Sequence, residues 1–309
     1  MKLFGGDKPK EVRFAGVFAA AVTPHRLEGH EADIGDTLEL IDFLARSGVN
    51  GTVMLGSTGE FVHIKPSERA RIVQFAVKRS RVPIIAGVSH STLDGALELG
   101  AEAITSGAAA LLLAPPHFFR YDAADVAEFY RRYAVEIGRS NVPMLLYNIP
   151  QFTSPIPFEV VQRLLESGNY AGIKDSSGDQ EYFAKLAALR KEREFVLFVG
   201  NDAIYQEARV AGADGVVSGC ACAIPELLVK LDAAIVSGET ARASMLTDLL
   251  NEFIGWTDRF PTPVAIKAAT AARGLRVGPA AVPLGPEKCR ALEEFQQWFR
   301  EWFPRVIAI

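Results

Sequence analysis

Short runs of small and apolar residues alternate along the chain with longer stretches whose apolar positions recur every three or four residues. The short runs are residues 16–22 (GVFAAAV), 51–55 (GTVML), 83–88 (PIIAGV), 109–114, 142–147 (VPMLLY), 171–174, 195–199 (FVLFV) and 214–218 (DGVVS). Each is too short for a helix and apolar throughout, as a strand buried on both faces is. Between them, residues 36–47 place Leu38, Ile41, Leu44 and Ala45 at helical spacing. Residues 66–79, 93–106, 123–138, 157–167, 182–193 and 203–211 read as further helices. Pro66 stands at a helix start, where its missing donor is harmless. Past Ala233 the strand pattern stops. Residues 240–256, 262–273 and 287–303 are predicted helical, with Pro279, Pro283 and Pro286 breaking the connections. Trp256, Phe295, Trp298, Phe299 and Trp302 supply their buried face, a packing role.

Apolar strands regularly followed by helices predict a parallel sheet covered by helices. About eight such units in roughly 220 residues match a closed (β/α)8 TIM barrel with a C-terminal helical region. A doubly wound open sheet is the runner-up, but it calls for a G-x-G-x-x-G turn after the first strand, and none is present. The expected organisation is an N-terminal arm over 1–15, a barrel over 16–235 and a helical region over 236–309. The first residues, MKLFGGDKPKEVR, are polar with a Gly pair and a Pro, and read as a loose arm.

Composition narrows the function classes. The 309 residues are 49% hydrophobic and 23% charged, with net charge -4, so there is no basic footprint for nucleic acid. The longest apolar run, residues 108–116, is too short for a membrane span. No secretory leader is read near Met1. Cys220, Cys222 and Cys289 are sparse, odd in number and not spaced as a zinc or thioredoxin-like motif, which indicates a reducing compartment and, by default, the cytoplasm. The five histidines, His25, His30, His63, His90 and His117, show no ligand spacing, so no metal and no cofactor is expected.

In a barrel, chemistry gathers where strands end. After the second strand comes Gly56-Ser57-Thr58-Gly59-Glu60, either a plain turn or a nest of free N–H groups suited to a carboxylate or phosphate. After the fifth comes Tyr147-Asn148-Ile149-Pro150, whose phenol is either a satisfied core group or a proton shuttle. The sixth ends on Lys174. That lysine either packs its stem and sends its head to water, or sits dry with a lowered pKa as a nucleophile for a ketone. Gly200-Asn201-Asp202 follow the seventh strand and Ser218-Gly219-Cys220 the eighth. An amine, a phenol, hydroxyls and backbone donors thus meet at one mouth, and covalent amine catalysis is the reading that uses them together.

The motifs G-S-T-G-E at 56–60, Y-N-I-P at 147–150 and G-I-K-D-S-S-G-D at 172–179 resemble those of the dihydrodipicolinate synthase / N-acetylneuraminate lyase family. The resemblance runs from about Gly16 to the C-terminus. It implies a class I, cofactor-free lyase acting on pyruvate or another 2-oxo acid, commonly as a homotetramer built as a dimer of dimers. By the same resemblance Lys174 forms the Schiff base and Tyr147 moves protons. Ser57 and Thr58 hold the carboxylate of the 2-oxo acid, Thr58 also sharing in the proton relay, and Val217 borders the pyruvyl group. Gly200, Asp202 and Phe152 line the remainder of the substrate site.

Departures from the family pattern bear on the substrate. Phe152 stands where dihydrodipicolinate synthases carry an arginine for the second substrate's carboxylate, and a bidentate clamp is lost with it. Ala203 stands where sialic-acid lyases place an acidic residue. Phe118 stands where a tyrosine is expected to reach a partner subunit's site, so either Tyr147 with Thr58 suffices or His117 or Tyr121 substitutes. The leading expectation is an aldolase, or a dehydratase of a 2-keto-3-deoxy sugar acid. The alternatives are dihydrodipicolinate synthase itself and a pyruvate-binding paralogue without catalysis.

Overall fold

The computed structural model describes residues 12–28, 31–138 and 140–309. The strands are β1 (Gly16–Ala20), β2 (Gly51–Met54), β3 (Ile84–Gly87), β4 (Ala110–Leu113), β5 (Met144–Asn148), β6 (Gly172–Asp175), β7 (Val196–Val199) and β8 (Gly215–Ser218). Each pairs in parallel with the next, and β8 returns to β1 to close the barrel. The helices between them are α1 (Ile34–Arg46), α2 (Pro66–Arg79), α3 (Leu93–Ser106), α4 (Ala123–Glu136), α5 (Phe158–Glu166), α6 (Gln180–Glu192) and α7 (Tyr205–Ala211). α8 (Pro225–Val236) follows β8, and α9 (Thr240–Thr257), α10 (Val264–Ala272) and α11 (Pro286–Ala308) complete the chain. The (β/α)8 barrel with C-terminal helices is thus the observed fold. His30 and most of the N-terminal arm lie outside the described residues, whereas Phe14 packs on Phe18 at the barrel's floor.

Local chemistry places the helix starts. Asp33, Thr92, Asp122 and Asp179 each accept a hydrogen bond from a first-turn N–H of α1, α3, α4 and α6, which satisfies donors that have no partner inside the helix. Pro66 and Pro225 occupy the first positions of α2 and α8.

Strand alternation creates two apolar layers. Val17, Ala19, Leu111, Leu113, Leu146, Ile173 and Leu197 face outward to the helices. Phe18, Ala20, Ala110, Leu112, Leu145, Phe198 and Val217 fill the barrel interior. With a period of two, Gly172 and Lys174 share the inward face. Large and small residues complement each other there. A Cβ at Gly172 would stand 2.2 Å from the Val196 carbonyl oxygen, so the barrel closes at that level only around a glycine. Gly172→Ala is expected to destabilise the fold by about 3 kcal/mol, read as a lower urea midpoint at unchanged slope.

The helix α8 interrupts the sequence expectation, which has none between 218 and 240. Its buried Leu227, Leu228, Leu231 and Ala234 follow directly on the buried turn Cys220–Cys222, so no polar boundary marks its beginning.

Candidate active site

Register brings the reactive side chains together. Tyr147 on β5 is paired with Lys174 on β6, and Lys174 with Phe198 on β7. All three therefore point inward at the same level near the C-terminal end of the barrel. Lys174 is 3% exposed, and its Nζ stands 4.2 Å from the centroid of the Tyr147 ring. The bland alternative, a stem on the strand with its head in bulk water, does not describe this side chain. Gly200 makes room for the lysine: a Cβ there would lie 2.0 Å from Ser176 Oγ and 2.5 Å from Lys174 Cε.

The residues after Tyr147 and Lys174 lock the two strands. Asn148 Nδ2 donates to Asp175 Oδ1 at 2.7 Å, and Asn148 Oδ1 accepts from the Ile156 N–H at 3.0 Å. Ser177 Oγ donates to Asp175 Oδ2 at 2.8 Å. Burial raises the Asp175 pKa, while the hydrogen bonds from Asn148 and Ser177 pull the other way. Within the 172–179 motif, Asp175 thus fixes the loop, Gly178 turns it with φ of 74°, and Asp179 caps α6. Only Lys174 and Ser176 of this motif face the cavity.

The 56–60 loop lies across the barrel mouth. Two non-glycine residues in the left-handed region bracket it, Leu55 at φ 60° and Glu60 at φ 54°, a strained geometry that surrounding contacts must hold. The N–H groups of Gly59 and Glu60 bond back to Gly56 and Ser57, and Thr23 Oγ1 donates to the Gly59 carbonyl. Among the described residues the N–H groups of Ser57 and Thr58 reach no protein acceptor, which leaves two donors for an anion. The hydroxyl in contact with Tyr147 belongs to Ser57, with Oγ and Oη 2.9 Å apart. Thr58 Oγ1 lies instead towards Gly219.

These groups open on a cavity of about 390 Å³. Ser57, Thr58, Tyr147, Phe152, Lys174, Gly200, Asp202 and Val217 all line it. Sequence reading did not anticipate its far wall, made by Ile254, Thr257 and Asp258 at the end of α9 and by Thr262 and Ile266 around the start of α10. No strand end announces them, because docking of the C-terminal helices brings them there. Lys174 is the one cationic residue of the lining. Arg120 lies near the Phe152 loop but donates to the carbonyls of Pro150 and Thr153. Asp202 Oδ1 is sealed from solvent without a hydrogen-bond partner. Burial holds this carboxyl above its ordinary pKa, opposed by Ser218, Cys220 and the charge of Lys174. Ser176 Oγ is likewise buried and unpartnered.

Phe118 does not reach this cavity. It is 85% exposed, adopts φ of 86°, and packs edge-on against Phe119. His117 packs on Phe61, and the Tyr121 N–H bonds to Ser154 Oγ. Neither contributes to the lining. Among the described residues no cluster of His, Cys, Asp or Glu is assembled for a metal ion, and no helix is long and apolar enough to cross a membrane.

Behind the 56–60 loop, Lys267 on α10 forms an ion pair with Glu60, Nζ to Oε2 at 2.6 Å, with side chains 4% and 7% exposed. Burial pulls the Lys267 ammonium below the usual lysine range, and Glu60 pulls it back.

A parallel barrel with a buried lysine beside a phenol and two open backbone donors is the architecture of a lyase that works through an imine. Comparison with known proteins agrees. The profile of the dihydrodipicolinate synthetase family matches residues 13–301. A 4-hydroxy-tetrahydrodipicolinate synthase from Methanothrix thermoacetophila is 31% identical over 274 residues, 88% of this chain and 92% of that protein. Escherichia coli YagE, a prophage protein of the dihydrodipicolinic acid synthase family solved with pyruvate, superposes with TM-score 0.84 at 25% identity, covering 94% of this chain and 98% of YagE. The sialic acid aldolase of Ruminococcus gnavus shares the fold, with TM-score 0.85 at 23% identity over 95% of this chain and 99% of its own. The chain belongs to the dihydrodipicolinate synthetase family and is a class I, Schiff-base lyase.

Proposed function

We propose that this protein cleaves or dehydrates a 2-oxo acid of the 2-keto-3-deoxy type through an imine on Lys174. The observation that carries this reading is the position of the Lys174 amine, buried over Tyr147 in the cavity that Ser57 and Thr58 also line. The carboxylate docks on the two free N–H groups, which brings the neighbouring ketone within reach of the amine. The amine adds to that carbonyl carbon and the carbinolamine loses water. The resulting iminium draws electrons from the adjacent carbon, so a bond one carbon further on can break. Tyr147, relayed through Ser57, takes the hydroxyl proton in an aldol cleavage and returns it to the enamine carbon. In a dehydration the carbon next to the iminium loses its proton to water, and the enamine so formed expels hydroxide, which Tyr147 protonates. That YagE was solved in complex with pyruvate supports a 2-oxo acid as the ligand here.

Dihydrodipicolinate synthesis is the second reading, favoured by the names of the relatives. Against it stands a lining that includes Phe152 and, among the described residues, no arginine. Borohydride reduction with pyruvate tests the covalent step, and the expected result is one reduced pyruvyl group per chain, on Lys174. No adduct, or an adduct on another residue, refutes the reading. Robust turnover of pyruvate with aspartate semialdehyde would instead favour the second. An adduct without turnover of any 2-oxo acid in a panel would mark a binding paralogue.

The same reading makes the protein a cytoplasmic homotetramer. The free, buried thiols of Cys220 and Cys222 support the reducing compartment, and the exposed Phe118 and Phe119 offer an apolar surface for another subunit.

A further inference from the structure

The Glu60–Lys267 pair presents a problem of charge. A turn built to receive a carboxylate should not have another carboxylate behind it, yet Glu60 stands two residues past Thr58 and is 7% exposed. A buried charge is tolerated only with a partner. Lys267 is that partner, at 2.6 Å, and it also donates to the Pro279 carbonyl at 3.1 Å. Glu60 Oε1 in turn accepts from the Ala281 N–H at 3.4 Å. Among the described ion pairs this is the one with both side chains more than nine-tenths buried. It links the loop after β2 to α10 and to the segment after it. α10 also sends Ile266 into the cavity wall.

We propose that Lys267 is a positioning residue for substrate binding: it neutralises Glu60 behind the Ser57–Thr58 turn and so lets that turn accept the carboxylate of the 2-oxo acid. Neither side chain lines the cavity. Their effect is electrostatic, carried over a short distance through a poorly solvated interior. The inference rests on the reading of Ser57 and Thr58 as the carboxylate site, and it adds a requirement that a mechanical clamp would not impose. Charge changes at the two positions should act in opposite directions, and only on an anionic ligand.

The test compares borohydride trapping of pyruvate with that of its neutral methyl ester in wild type, Lys267→Met, Glu60→Gln and the double variant. Lys267→Met leaves Glu60 unopposed, so half-saturation for pyruvate should rise about tenfold relative to the ester. Glu60→Gln leaves the ammonium unopposed and should improve pyruvate binding relative to the ester, so an unchanged or weakened ratio in this variant counts against the proposal. The double variant should return the ratio to within about threefold of wild type. A ratio that stays flat in both single variants, or shifts the same way in both, overturns the proposal and leaves a purely mechanical clamp. If Lys267→Met does not fold, the sign of the shift in Glu60→Gln decides alone, since loosening a clamp weakens both ligands. If wild type traps no pyruvate, the carboxylate reading falls and takes this inference with it. A wild type that traps with a flat ratio removes this inference only.

Discussion

Lys174→Ala is expected to abolish covalent trapping of pyruvate and to lower turnover of the true substrate on the order of 10⁴-fold or more. The reason is structural exclusivity. No other lysine lines the cavity. Lys267, the other buried lysine among the described residues, is ion-paired behind the 56–60 loop. Lys174→Arg should be as inactive, because a guanidinium keeps its proton and offers no lone pair for the ketone. Stability should change by no more than about 2 kcal/mol in Lys174→Ala. The lost packing of the stem is offset by removing a polar amine held at 3% exposure. Mass spectrometry after reduction, steady-state kinetics and urea unfolding measure the three quantities separately. A variant that still carries the adduct would move the chemistry to another amine.

Much of this molecule can be read from its sequence, for reasons that differ by level. The barrel is legible because its strands are buried on both faces, so apolar runs such as FVLFV stand out against amphipathic helices. The bounds of α2 and α3 follow from local signals, Pro66 at one start and the Thr92 hydroxyl at the other. The cavity side of the strand ends is legible from alternation: once Ile173 is assigned outward, Lys174 must face in. What stays hidden is set by tertiary contact. Nothing in residues 254–266 signals that their helices close the cavity. Nor does the order Ser57-Thr58 tell which hydroxyl meets Tyr147. The loop is bracketed by left-handed residues at Leu55 and Glu60, and neither is a residue type that advertises such a conformation. Lys267 is the lone charge in the run VAIKAATAA, yet only the packing of α10 shows that its partner is Glu60.

Tyr147→Phe separates two roles that the wild-type side chain combines. The ring lies 4.2 Å from the lysine amine, and phenylalanine preserves that contact and the packing of the barrel interior. The hydroxyl, 2.9 Å from Ser57 Oγ, is lost. If the phenol carries the proton of the bond-breaking step, turnover should fall about 10²- to 10³-fold. The pyruvyl adduct should still form on Lys174, at a reduced rate, since reduction by borohydride bypasses the later proton transfer. Ser57→Ala should fall less, because the phenol itself is retained and only its hydrogen-bond partner is lost. A rapid-quench measurement of adduct formation beside steady-state turnover distinguishes these effects. Turnover in Tyr147→Phe within tenfold of wild type would exclude the phenol as the proton carrier. The buried Asp202 carboxyl in the same cavity would then be the next group to test.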